Sequence, residues 1–222
     1  GSVSYIKPGS GIGGGDINGN AVAGKKSLPI YCVKHDDSEK CISISFDAAW
    51  GADDTIEILN TLDKYNVKAT FFLIGENAEN TPELVKRESE EGHLVGNHTY
   101  HHVEITRVPD ETAKEEILMT NEVITGITGE EVSYMRPPFG AWQKKLEWEL
   151  DVMPVMWTID PLDWTTNNED EIVNKVVTQA KENDIILLHD CYESSVNAAL
   201  RIVDILQKEG FEFVTVDELI MN

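Results

Sequence analysis

The sequence predicts an α/β fold in which a parallel sheet is wrapped by helices. Two observations lead there. From about residue 40, short apolar runs alternate with amphipathic stretches, the order that βαβ units produce. Polar residues also recur directly after the apolar runs, and in parallel sheets the carboxyl ends of the strands share one rim where ligands bind. Seven such runs between residues 40 and 222 fit either an open sheet or a closed barrel. No internal repeat of fixed period is present.

The elements follow in order. Residues 3–27 are rich in Gly, Ser and Asn without periodicity, the composition of a linker or surface arm. Residues 28–34 are strand-like, and the compact domain is expected to start near Lys40. Residues 42–46 form a β-branched run. Asp53 and Asp54 then cap a helix with Ile56, Leu59, Leu62 and Tyr65 on one face. A second strand spans 69–74, and Pro82 opens a helix that ends near Gly92. Residues 94–96 are a third strand. A helix over 109–124 carries acidic residues in its first turn, and 132–135 form a fourth strand. A helix is predicted over 143–150, a fifth strand over 155–159 and a helix over 169–180. A sixth strand over 185–188 precedes a helix over 197–208, stopped by Gly210, and a seventh strand over 211–214.

Composition narrows the function. Among 222 residues, 18 Lys and Arg face 40 Asp and Glu, a formal net charge of −22. Nucleic acid is excluded as a partner, because phosphate binding needs a basic footprint, and an anionic membrane surface is disfavoured. No apolar run reaches the roughly 20 residues that span a bilayer. Gly1-Ser2 resembles a cloning remnant, so a native signal or anchor is expected to have been trimmed. The three cysteines, Cys32, Cys41 and Cys191, contain no CxxC pair. Cys32 and Cys41 flank a polar turn and could pair across a hairpin or stay as thiols.

The polar residues concentrate at strand ends. Asp47 follows the first strand, His98 the third, Arg136 the fourth, Asp160 and Asp163 the fifth, and His189 the sixth. Singly, each has a plain explanation, a helix cap or a surface histidine; five of the first six strand ends together make that explanation poor. His98 and His102, four residues apart, can share one metal ion on the same side of a helical turn. Zinc, cobalt and nickel all suit imidazole. Asp47 suits a general base, and Arg136 in the rigid 136–140 turn could pair with it and keep it ionised. Pro138 and Phe139 belong to the wall that this turn builds. The segment 157–164 sets Asp160 and Asp163 among Trp157 and Trp164, and aromatic faces beside carboxylates suit sugar rings. His189 ends a fully apolar strand containing Leu187, well placed for general acid work.

These residues resemble the polysaccharide deacetylase family, the NodB-homology domain of carbohydrate esterase family four. The five family motifs occur in order over residues 40–222: Phe46-Asp47, His98-Thr99-Tyr100-His101-His102, Arg136-Pro137-Pro138-Phe139-Gly140, Asp160-Pro161-Leu162-Asp163-Trp164 and Leu187-Leu188-His189. The resemblance implies a distorted (β/α) barrel of about seven parallel strands. It implies metal-dependent removal of N-acetyl groups from GlcNAc or MurNAc units of a peptidoglycan-like glycan. Asp47 becomes the general base, His189 the general acid, Arg136 the group that orients Asp47, and Asp163 the group that tunes His189. His98 and His102 become ligands of a divalent metal, zinc by expectation, and Trp164 and Leu187 line the acetyl pocket with Phe139 and Pro138 beside them. The implied partner is the glycan, met by a monomer outside the cell, at the wall or the spore.

The family's first motif usually has a second Asp, the third metal ligand, where this chain has Ala48. Asp53 or Asp54 could replace it, metal could bind weakly, or the chain could lack metal. Phe46-Asp47-Ala48-Ala49-Trp50-Gly51 is similar to the sporulation-associated branch. The competing reading is a carbohydrate-binding or structural protein of wall or spore with weak or no catalysis.

Overall fold

The computed structural model describes residues 40–48, 52–142, 146 and 150–221. Seven parallel strands build one sheet: β1 (Lys40–Ala48), β2 (Thr70–Leu73), β3 (Leu94–Asn97), β4 (Tyr134–Met135), β5 (Met153–Pro154), β6 (Ile185–His189) and β7 (Phe211–Phe213). The order is β5-β4-β3-β2-β1-β6, with β7 on the lower part of β1. Among the described residues seven α-helices surround it: α1 (Ala52–Lys64), α2 (Gly75–Asn80), α3 (Pro82–Glu90), α4 (Asp110–Thr128), α5 (Glu169–Val177), α6 (Glu193–Lys208) and α7 (Val216–Met221). The sheet curls into a half-barrel. Beyond β5 the chain returns to β6 through a parallel bridge between Ile159 and Ile186. The expected distorted barrel is therefore the observed architecture.

Period-two alternation assigns the two faces of β1. Ile42, Ile44, Phe46 and Ala48 join the apolar layer against the helices, with Ile58, Leu59, Leu62, Ile202 and Leu206. Cys41 joins the inner cluster of Phe72, Val155 and Ile185, so the alternate residues Ser43, Ser45 and Asp47 line the barrel interior. A third cluster, around Ile105, Ile117 and Met135, seats α4. Gly129, left-handed at φ 78°, ends α4.

Three sequence expectations are corrected, and two helices are added. The buried face of α1 is Thr55, Ile58, Leu59 and Leu62, whereas Ile56 is exposed and Tyr65 lies beyond the helix. The Thr55 hydroxyl is drawn inward by Asp190, whose Oδ2 accepts from it at 2.5 Å. The fifth strand sits at Met153–Pro154 rather than 155–159, because the carbonyls of Val155 and Met156 turn to the Arg136 side chain. Helix α6 starts one turn earlier, at Glu193, than the expected 197. The short helices α2 and α7 have no counterpart in the sequence reading; at six residues each they are too brief to show a period. The strand expected over 28–34, Cys32 and so the question of its pairing with Cys41, and most of the helix expected over 143–150 lie outside the described residues.

Candidate active site

Asp47 enters the barrel mouth from the end of β1, in register with Phe72 of β2 and His189 of β6. Its Oδ1 accepts from Arg136 Nη1 at 2.9 Å. Arg136 is fully buried, lies 4.3 Å above the Phe72 ring, and donates from Nε to the Val155 carbonyl and from Nη2 to the Met156 carbonyl. Burial pushes the Asp47 carboxyl upward, but Arg136, with smaller help from His98 and His189, holds it below the usual carboxylate range. The residue is an ionised carboxylate with one oxygen occupied by Arg136 and the other, Oδ2, 3.6 Å from Nε2 of His98.

His98 follows β3. Its Nδ1 donates to the carbonyl of Arg136 at 2.7 Å, which leaves Nε2 as the lone-pair nitrogen. Burial drops its pKa to about 4 despite the nearby Asp47 carboxylate, so the ring is neutral. The His102 ring centroid lies 4.9 Å away, and burial lowers its pKa too. The 98–102 segment is not the helical turn that the i, i+4 argument assumed. Thr99 and His102 both take positive φ, 62° and 56°, and the loop itself brings the two imidazoles together.

His189 ends β6. Asp163 grips it twice: Oδ2 accepts its backbone N–H and Oδ1 accepts from Nδ1, both at 2.8 Å. Burial alone would lower the imidazole, but Asp163, then Asp47 and Asp160, raise its pKa above the ordinary histidine value. The ring faces the mouth with Nε2 uncommitted to Asp163. Asp160 serves the turn, its Oδ1 accepting the N–H of Leu162.

The rim above these groups is apolar. Phe139, Leu162, Trp164 and Tyr192 are exposed, while Pro138 and Leu187 are buried. Phe139 and Leu162 sit at φ 60° and 57°, left-handed positions that a bulky residue avoids unless its surroundings enforce them. The Phe139 ring packs 5.0 Å from that of His102. Sequence reasoning gave no role to Leu162, although it lies in the fourth motif, and passed over Tyr192, which lies in none. It also passed over Asn97 and Glu116, whose side chains catch the backbone N–H groups of residues 99–101. A lone Glu in an acidic helix gives no sequence signal for that task.

A divalent ion can be tested against these donors. The two imidazoles fit it: each is neutral, and His98 has its far nitrogen fixed by a carbonyl, the outer-sphere support that metal-ligating histidines use. The third protein donor usual for catalytic zinc does not appear. Ala48 belongs to the helix-facing apolar layer, and no cluster of three or more His, Cys, Asp or Glu is arranged to hold a metal among the described residues. Asp53 and Asp54 remain in the first turn of α1.

Comparison with known proteins agrees with this geometry. The family model for polysaccharide deacetylase matches residues 34–155. Peptidoglycan-N-acetylglucosamine deacetylase PgdA of Listeria monocytogenes is 36% identical over 182 residues, covering 82% of this chain and 39% of that protein. Peptidoglycan-N-acetylmuramic acid deacetylase PdaC of Bacillus subtilis is 35% identical over 184 residues, 83% of this chain and 39% of that protein. The chain thus spans about two fifths of the length of these two curated relatives. The solved structure of PdaC superposes with a TM-score of 0.80, covering 82% of this chain and 90% of that one. BA3943 of Bacillus anthracis, described as a pseudoenzyme of carbohydrate esterase family four, superposes with a TM-score of 0.81 at 26% identity, covering 87% of this chain and 69% of that one. The matched residues include five of the seven strands described and the Asp47, His98, His102 and Arg136 constellation, and the chain belongs to the polysaccharide deacetylase family.

Proposed function

We propose that residues 40–222 form a catalytic domain that hydrolyses N-acetyl groups on GlcNAc or MurNAc units of a peptidoglycan-like glycan. One observation carries the reading. An ionised buried carboxylate, Asp47, and an imidazole with a raised pKa, His189, occupy paired positions on neighbouring strands, each held by its own partner. The names of the relatives supply the glycan. They also support action outside the cytoplasm, at the wall; spore association rests on the Phe46 to Gly51 motif alone. Every group in the reaction comes from one chain, so a monomer suffices.

His98 and His102 would hold a divalent ion, zinc in preference to cobalt or nickel, which when bound would supply Lewis acidity for the amide carbonyl. The chain supplies the proton movements. Asp47 accepts a proton from the attacking water at Oδ2, the oxygen not taken by Arg136. The water oxygen bonds to the carbonyl carbon, and the C–N bond then breaks. His189, held at Nδ1 by Asp163, gives the Nε2 proton to the departing nitrogen. The products are acetate and a free amino sugar. Trp164, Phe139 and Leu162 offer apolar faces to the sugar, and Leu187, at the base of the mouth, bounds the acetyl group.

Acetate release from GlcNAc oligomers and muropeptides tests this. Wild-type protein with zinc, cobalt or nickel is expected to turn over, with rates about 10²–10⁴-fold lower in Asp47→Asn and His189→Ala. No acetate from any glycan sinks it. The absence of a third donor at Ala48 favours one second reading, a carbohydrate-binding protein with little or no catalysis. Tight glycan binding without acetate or bound metal selects that reading.

A further inference from the structure

We propose that Glu116 is the positioning residue that shapes the 98–102 loop and thereby holds His102 opposite His98. The inference rests on the reading of those two histidines as a metal pair, and it concerns a residue outside all five motifs. The loop is a contorted piece of backbone with two non-glycine residues at positive φ. Such geometry persists only where the surroundings over-determine it.

The surroundings can be named. Glu116 projects from α4 with its side chain 8% exposed. Its Oε2 accepts two consecutive backbone N–H groups, from Tyr100 at 3.0 Å and His101 at 2.8 Å. Its Oε1 accepts from Nδ1 of His101 at 2.7 Å. This places His101, the middle imidazole, as a strut for the loop. Asn97 catches the remaining N–H, that of Thr99, at 2.8 Å and is itself tied to the Ile117 carbonyl on α4. From the opposite side, the N–H groups of Gly75 and Glu76 hold the carbonyls of Thr99 and Tyr100 at 2.9 and 3.0 Å. A Cβ on Gly75 would lie 2.5 Å from the Tyr100 ring, so α2 can approach only as glycine.

His98 has anchors of its own, through its N–H to Leu73 and Nδ1 to Arg136. His102 has ring contacts with His98 and Phe139 and no side-chain hydrogen bond among the described residues. Its place therefore follows from the backbone before it, and Glu116 holds the two N–H groups of that backbone nearest to His102, those of Tyr100 and His101. In a site with two protein donors, loss of one donor's placement removes half the site.

The test compares Glu116→Ala and Glu116→Gln with wild type in three readouts: cobalt and zinc affinity by calorimetry, amide exchange at Tyr100 and His101, and the imidazole ¹⁵N signals of His102. Gln keeps an oxygen for the two amides and serves as the conservative rescue. In Glu116→Ala the two amides exchange faster, the His102 signals move, and affinity falls about 10–100-fold, the range for lost outer-sphere support; Glu116→Gln stays within a few-fold of wild type. Unchanged affinity and unchanged His102 signals in Glu116→Ala overturn the proposal. If Glu116→Ala does not fold, Glu116→Asp, one methylene short of the amides, takes its place with the same expectations. If wild type binds neither metal, the metal reading fails separately, and an unmoved His102 signal in the variant still overturns the role given to Glu116.

Discussion

The carbonyl oxygen of Arg136 accepts Nδ1–H of His98 at 2.7 Å, while the guanidinium of the same residue reaches Asp47 at 2.9 Å. Main chain and side chain of one buried arginine thus orient two different site residues. Arg136→Met removes the side-chain half and leaves Asp47 as an uncompensated buried charge, a loss of about 3–5 kcal/mol. Thermal unfolding should fall by about 10 °C. The double variant Arg136→Met/Asp47→Leu should recover most of that loss, which calorimetry of the three proteins measures.

The raised pKa of His189 sets the alkaline limb of the rate. The acid must be protonated to act, so activity falls as pH rises through the raised value, above the ordinary histidine range. Asp47, held low by Arg136, puts the acidic limb below the usual carboxylate range. Asp163→Asn removes the strongest influence that raises His189, leaving the weaker pull of Asp47 and Asp160, while burial continues to lower it. The alkaline limb of kcat/KM should therefore move to lower pH, with the acidic limb in place; a limb that stays put refutes the assignment.

Ala48 makes a sharper demand on the metal. An Asp there enters an apolar layer, and its charge must be compensated. Ala48→Asp is expected to melt below wild type in chelator and to gain more than wild type from added zinc, as the third donor usual for catalytic zinc is restored. Acetate release should rise with it. Equal zinc shifts in the two proteins would show that position 48 does not reach the ion.

Phe139 combines a left-handed backbone with an exposed ring. Phe139→Gly relieves a backbone strain of about 1–2 kcal/mol and incurs about 0.5–1 kcal/mol of glycine entropy, so stability should stay within about 1 kcal/mol of wild type. KM for a GlcNAc oligomer should rise a few-fold to roughly tenfold as the sugar loses an aromatic face. Steady-state kinetics and urea unfolding on the same preparation separate the two effects.

The strand-end residues were legible because a parallel sheet turns a one-dimensional order into a shared rim: Asp47, His98, Arg136 and His189 need only follow apolar runs to meet. Residues that depend on tertiary partners were not. Ile56 and Ile58 both fit a helical period through Leu59 and Leu62; in the fold Ile58 is the buried one, on the side where Thr55 bonds Asp190. The strand expected over 155–159 has apolar residues enough, but Arg136 claims its carbonyls. Glu116 looks like any of the 40 acidic residues until α4 is packed against the loop after β3.

The pairing of Asp47 with His189 has a wider consequence. Neighbouring strands lie about 4.8 Å apart, a spacing set by the peptide hydrogen bonds and not by any side chain. The two proton-handling groups are therefore mounted on the jaws of a fixed caliper. Variation in the loops bearing Phe139, Leu162 and Tyr192 can refit the mouth to a new sugar without resetting that gauge. A one-residue slip of β6 would turn His189 to the helix side and present Leu188 in its place, abolishing chemistry while leaving the sheet intact.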